Sequence, residues 1–142
     1  MSILGSVVVG AGQAGLAASH HLARLGVEHV VLERSRIGAT WLSQRWDTFA
    51  LNTPGWRSHL SPEDRERQTG SDDGFLSARG FVDRLESFAG RNGIVVTTGV
   101  EVTGVAPAGA PGDGFVVSVT GADGPDELRA CTVVVASGIL NV

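Results

Sequence analysis

The residues best suited to chemistry stand in one short run, Gly10-Ala11-Gly12-Gln13-Ala14-Gly15. Three glycines at this spacing suit a diphosphate. Gly10 permits a tight turn, Gly12 has no Cβ to keep phosphate oxygens from the backbone, and Gly15 lets a following helix lie close to a preceding strand. The helix start would then point unpaired N–H groups and a partial positive charge at the anion. Roughly twenty residues on, Glu33 is placed to accept both hydroxyls of an adenosine ribose and to repel a 2′-phosphate. Its neighbour Arg34 either reaches the adenine side or is solvated. A glycine-rich surface turn is the bland alternative. The strand before, the helix after and the acid at the end of a second strand favour a dinucleotide site.

The elements around the run supply that context. Ile3 to Val9 is a short apolar run of the kind buried on both faces of a parallel sheet. Ala14 to Leu25 is predicted as a helix with Ala18, Leu22 and Leu25 on one stripe and Gly26 as its stop. Val30 to Leu32 is a second buried strand ending at Glu33, so residues 3 to 33 form one βαβ unit. Residues 34 to 76 have no clear period and hold Trp41, Trp46, Trp56 and six arginines. A long stretch of this kind in a compact domain points to function, and its tryptophans argue for order. The charged piece Ser61 to Gly74 is expected to be an exposed excursion. Ser77 to Asn92 is a helix with Ser77 as N-cap, a Phe81, Leu85, Phe88 stripe and Gly93 as stop. Ile94 to Thr97 is a third buried strand. Val100 to Val105, Phe115 to Val119 and Leu128 to Thr132 alternate and form a small antiparallel meander, and Val133 to Ala136 is a final, separate buried strand.

Composition narrows the classes. The chain has 142 residues, 11 Lys+Arg and 15 Asp+Glu, a formal charge of −4. That length fits one domain, and mild acidity without a basic cluster argues against nucleic acid or an anionic membrane. No apolar stretch is long enough to span a membrane. A single cysteine, Cys131, excludes a disulfide framework and a CxxC redox pair; it is expected to be a small buried residue, and a cytoplasmic location is expected. His20, His21, His29 and His59 show no ligand spacing, so no metal is assigned. No G-x-S-x-G or Ser/His/Asp arrangement supports hydrolysis.

Further segments carry a resemblance: Glu33-Arg34, Gly38-Ala39-Thr40-Trp41, Arg45-Trp46-Asp47, Leu51-Asn52-Thr53-Pro54 and Val133-Val134-Val135-Ala136-Ser137-Gly138. With Gly10 to Leu16, they make the chain similar to the N-terminal FAD-binding part of the flavin-containing monooxygenase superfamily, in the bacterial CzcO-like branch that also resembles the plant YUCCA enzymes. The resemblance implies an α/β, Rossmann-like FAD-binding domain with a parallel sheet and an antiparallel meander, of glutathione-reductase-type topology. Residues 1–142 would be its N-terminal portion, with the NADPH-binding domain outside this chain. FAD is the implied cofactor, held by Gly10, Gly12, Gln13, Ala14 and Gly15 at the diphosphate and by Glu33 and Arg34 at the adenosine. Thr40, Trp41, Trp46, Asn52 and Thr53 would line the flavin side, Asn52 being the candidate near the ring. Val102 or Glu101 would offer backbone to adenine, and Ala136, Ser137 and Gly138 stand where relatives have an A-T-G motif. Ala39 replaces the family's second glycine.

The implied activity is NAD(P)H-dependent oxygenation of a small organic substrate through a hydroperoxyflavin, with a further C-terminal half or a partner chain needed for turnover. The alternative is a non-catalytic or split nucleotide-binding module completed by a partner chain. A disulfide reductase relative is disfavoured, since no cysteine pair lies in residues 34 to 60.

Overall fold

The computed structural model describes residues 2–67 and 74–139. A six-stranded sheet in the order β3-β2-β1-β6-β5-β4 organises them. The strands are β1 (Leu4–Val9), β2 (His29–Glu33), β3 (Val96–Thr98), β4 (Glu101–Pro107), β5 (Phe115–Gly121) and β6 (Gly124–Val135). β1 lies parallel to β2, with Val7 opposite Val30, and parallel to β6, with Val7 opposite Val133. β3 adds in parallel to β2, while β4, β5 and the first half of β6 run antiparallel. This is a Rossmann-like α/β fold with a parallel core and a meander.

Alternation along β1 divides the core, because successive side chains point to opposite faces. Val8 packs with Leu16, Val31, Phe81, Leu85 and Phe88, joining the sheet to helices α1 (Gln13–Arg24) and α4 (Ala78–Arg91). Val7 packs with Leu32, Val117, Val119 and Ala130 on the meander side. α4 begins as its sequence directs, with the Ser77 hydroxyl accepting from Gly80 N at 3.1 Å.

Several expectations are corrected. The meander's last strand and the final parallel strand are one element, β6: it pairs with β5 as far as Ala130 and with β1 along Ala130 to Val135. Cys131 is exposed, not buried, since it stands just beyond the residue where β5 pairing ends. Leu25 is 77% exposed; α1 instead buries Gly15, Leu16, Ser19 and His20, a stripe one turn position away. β3 is the edge strand and is largely exposed. The segment after Glu33 is also more ordered than its lack of period suggests. It contains α2 (Ala39–Ser43), a 3₁₀ turn (Gly55–Arg57) and α3 (Pro62–Arg67). The expected excursion is partly buried, for Ser61 and Asp64 are 4% and 3% exposed. Its residues 68–73 lie outside the described residues. Among the described residues, no helix is long and apolar enough to cross a membrane.

Candidate functional site

A cleft of about 770 Å³ opens where β1, β2 and β6 end. The C-terminal edge of a parallel sheet, at the point where chain connections diverge, is where such folds leave room for a ligand. Here the first helix follows β1 on one side and β6 returns on the other.

Backbone contacts shape the floor. Gly10 N donates to Leu32 O at 2.8 Å, Ala136 N to Val9 O at 2.8 Å, and Gly38 N to Ala11 O at 3.1 Å. Gly10 turns with φ +102°, and a Cβ there would stand 2.5 Å from Ala136 O. A Cβ on Gly15 would stand 1.9 Å from Gly10 O, so helix and loop touch only because that position is bare. Gly12 differs from both. Its φ of −87° and ψ of −164° are open to any residue, and a Cβ there would meet no protein atom within 4 Å. Nothing inside the protein requires glycine at position 12, and the space in front of it is open.

Electrostatics agree with the shape. α1 has no capping side chain and no acidic residue in its first turn, so its N-terminal charge is not neutralised from within the helix. The Glu33 carboxylate accepts from Ala11 N through Oε2 and from Ser35 N through Oε1, each at 2.9 Å. It thereby ties the end of β2 to the glycine loop. A carboxylate has about four acceptor positions, so two remain for hydroxyl donors entering the cleft.

Of the residues singled out in the sequence, Gly10, Gly12, Gln13, Ala14, Glu33 and Arg34 line the cleft. Thr40, Trp41 and Val102 join them from α2 and β4, and Ala136, Ser137 and Gly138 from the end of β6. Gly15 supports the loop from behind. Trp46, Asn52 and Thr53 do not line it. Trp46 is 66% exposed and meets Phe49 edge-on, and Asn52 and Thr53 are exposed in the turns before the 3₁₀ segment. The cleft also includes Ser35, Ser43, Gln44, Arg45 and Ile139, to which the sequence gave no role. For Arg45 a signal existed: it belongs to the Arg45-Trp46-Asp47 segment that the sequence singles out, and it stands two residues past the end of α2.

Comparison with known proteins places this arrangement. Residues 7–142 match the family model described as "Pyridine nucleotide-disulphide oxidoreductase". The chain is 36% identical over 137 residues to indole-3-pyruvate monooxygenase YUCCA1 of Oryza sativa subsp. japonica, covering 94% of this chain and 32% of that protein. An oxidized steroid monooxygenase bound to NADP superposes with a TM-score of 0.81 at 25% identity, over 96% of this chain and 26% of that one. A flavin-containing monooxygenase from Stenotrophomonas maltophilia gives a TM-score of 0.75 at 25% identity, over 97% of this chain and 39% of that one. The chain thus spans about a third of the curated relative it matches. By this match and by its fold, the chain belongs to the pyridine nucleotide-disulphide oxidoreductase family and is similar there to flavin monooxygenases.

Proposed function

We propose that the cleft binds FAD and that the chain is the FAD-binding portion of an NAD(P)H-dependent flavoprotein monooxygenase. The observation that carries this reading is Gly12, a glycine that neither backbone conformation nor internal packing demands, facing open space at the start of α1. The bare floor leaves room for a diphosphate against the N–H groups of the first turn, where anions are favoured. Glu33 offers its remaining acceptor positions to a ribose and disfavours a 2′-phosphate, which suits FAD better than NADP at this site.

A bound flavin would supply hydride acceptance from a reduced nicotinamide and activation of oxygen. The chain's own residues do the positioning. The glycine loop fixes the diphosphate, Glu33 holds the loop and the sugar together, and Trp41 walls the cleft beside α2. Two further features support an oxygenase over a disulfide reductase: the likeness to the three monooxygenases named above, at 25% to 36% identity, and a sequence with one cysteine, which leaves no pair to form a disulfide within these 142 residues.

Titration of the chain with FAD, followed by quenching of flavin fluorescence, tests the reading. Gly12→Val should lower FAD affinity by at least about a hundredfold, since its side chain enters the phosphate path. The thermal midpoint should stay close to that of the unaltered chain, because the added atoms meet open space. FAD binding that survives Gly12→Val unchanged, or a chain that takes up no FAD, would sink the assignment.

A further inference from the structure

Arg45 is a charged side chain of the cleft to which the diphosphate and ribose contacts give no task. Its guanidinium carbon lies 4.9 Å from the centroid of the Trp41 ring and 5.3 Å from that of Phe49. Those rings are themselves held: Trp41 meets Phe81 edge-on with centroids 4.8 Å apart and leans on Phe49 at 5.8 Å. The arginine is therefore fixed in place by two aromatic faces, an arrangement that suits a planar cation. Its polar atoms are less well served. Nη1 reaches Gln44 O at 3.4 Å, a long contact, and Nε is sealed from solvent with no hydrogen-bond partner. A buried donor on a charged group is rarely left so, because its lost hydration is not replaced. A planar cation held in the wall of a cleft, with one long contact to a neighbouring carbonyl, can meet an acceptor brought by a ligand through its terminal nitrogens.

The ligand atoms left over identify which part this is. The glycine loop accounts for the diphosphate and Glu33 for the sugar on one side of it. Thr40, Trp41, Gln44 and Arg45 stand on α2 and just past it, and they line the same cleft as the glycine loop and Glu33. We propose that Arg45 binds the half of the dinucleotide beyond the diphosphate, its guanidinium donating to a carbonyl or ring-nitrogen acceptor of the flavin. The proposal rests on the FAD reading above. An isoalloxazine presents a flat aromatic surface beside the cleft wall that Trp41 forms and a row of acceptors along its edge. Charge placed at that edge is one of the means by which a protein tunes a flavin.

Paired titrations with FAD and with ADP, which shares the adenosine and diphosphate but lacks the flavin half, test it. Arg45→Ala should weaken FAD by about tenfold or more and leave ADP within about twofold. Arg45→Lys keeps the charge without the planar stack and should lose FAD affinity to an intermediate degree. Arg45→Gln keeps the stem and one donor group, and it serves the same comparison should the alanine variant melt early. Equal losses for FAD and ADP would place Arg45 at the diphosphate or in the scaffold and overturn the proposal, as would FAD affinity unchanged in all three variants. Failure of the unaltered chain to bind either ligand is a different result: it removes the FAD reading itself.

Discussion

Two neighbouring regions of this molecule are built on opposite principles. The glycine loop and the strand ends beside it are held by backbone groups from distant parts of the chain, as in Gly10 N to Leu32 O, Ala136 N to Val9 O and Val100 N to Glu33 O. Among the described residues of the segment from Gln44 to Ser77, Leu51 N donates to Leu76 O and Gly55 N to Gly74 O near its base. Leu51, Leu60 and Leu76 pack it on the core, and single polar side chains tether it further. Arg84 donates to Gly55 O at 2.5 Å, Arg91 donates to Asp64 at 2.7 Å, and Arg24 pairs with Glu63. Backbone networks tolerate almost no change in shape but accept many side chains. Side-chain tethers tolerate shape changes and fail one residue at a time. A ligand site that must keep a diphosphate against bare backbone is made of the first kind.

The comparison breaks most sharply at Gly15. A Cβ there would lie 1.9 Å from a backbone oxygen that cannot move without displacing β1. Gly15→Val should destabilise the fold by at least about 4 kcal/mol, an exceptional figure for one substitution. Circular dichroism in urea would read it. A variant that melts near the unaltered chain would show that the loop is softer than its bonding implies. The tether region should yield less, and locally. Asp64 is 3% exposed and receives both Leu60 N and Arg91. Asp64→Ala orphans both donors and should cost about 2–4 kcal/mol, while FAD affinity in the remaining folded protein stays within about threefold.

That contrast also explains what could be read from the sequence. The loop was legible because close backbone approach restricts residue type: only glycine fits at positions 10 and 15, and the carboxylate that ties the loop stands at the predicted strand end. β3 and Val135 at the end of β6 are more exposed than their apolar sequence suggests, whereas β1 and β2 were legible as Val-rich runs. The continuity of β6 was not, because its first half alternates and its second half is uniformly apolar, so two patterns share one strand. No glycine or proline stands between Leu128 and Val135, and that absence of a breaker was the available clue. For α3 the signal was present as well. Ser61-Pro62 is a helix start, with Asp64 N donating to the Ser61 hydroxyl at 3.1 Å. The burial of Asp64 had no local signal, since it depends on Arg91, 27 positions away. Arg45 stands in a segment the sequence singles out, but its place over Trp41 and Phe49 in the cleft wall appears only in the assembled fold.

Glu33 sits between the two principles, for it is a side chain that completes a backbone network. Glu33→Gln keeps one oxygen and turns an amide NH₂ toward either Ala11 N or Ser35 N. The expected loss is about 1–2 kcal/mol of stability, with a roughly tenfold weaker ADP affinity from the lost charge-assisted acceptor. If stability fell while ADP binding held, the carboxylate would be a strut for the loop and not a ribose ligand.

The smallest effect belongs to the most exposed tether. The backbone hydrogen bond at Glu63, then the one from Arg24, lowers its carboxyl from the usual 4.5 to about 2. Its Oε2 also stands 3.8 Å from His20 Nε2. A carboxyl whose pKa is depressed by folding stabilises the native state above its unfolded value, and that contribution fades as pH falls through the folded one. The α3 tether should therefore be intact at pH 5 and loosen between about pH 4.5 and pH 2. Both groups lie at the surface, so the change in global stability is slight. Glu63→Gln removes the titrating group, and the difference in denaturation midpoint between it and the unaltered chain should shrink as pH drops across that window. A difference that stays constant from pH 5 to pH 2 would mean the Arg24 contact does not hold α3 in solution. The polar tethers of that segment would then be Asp64 with its partners and Arg84 on Gly55 O.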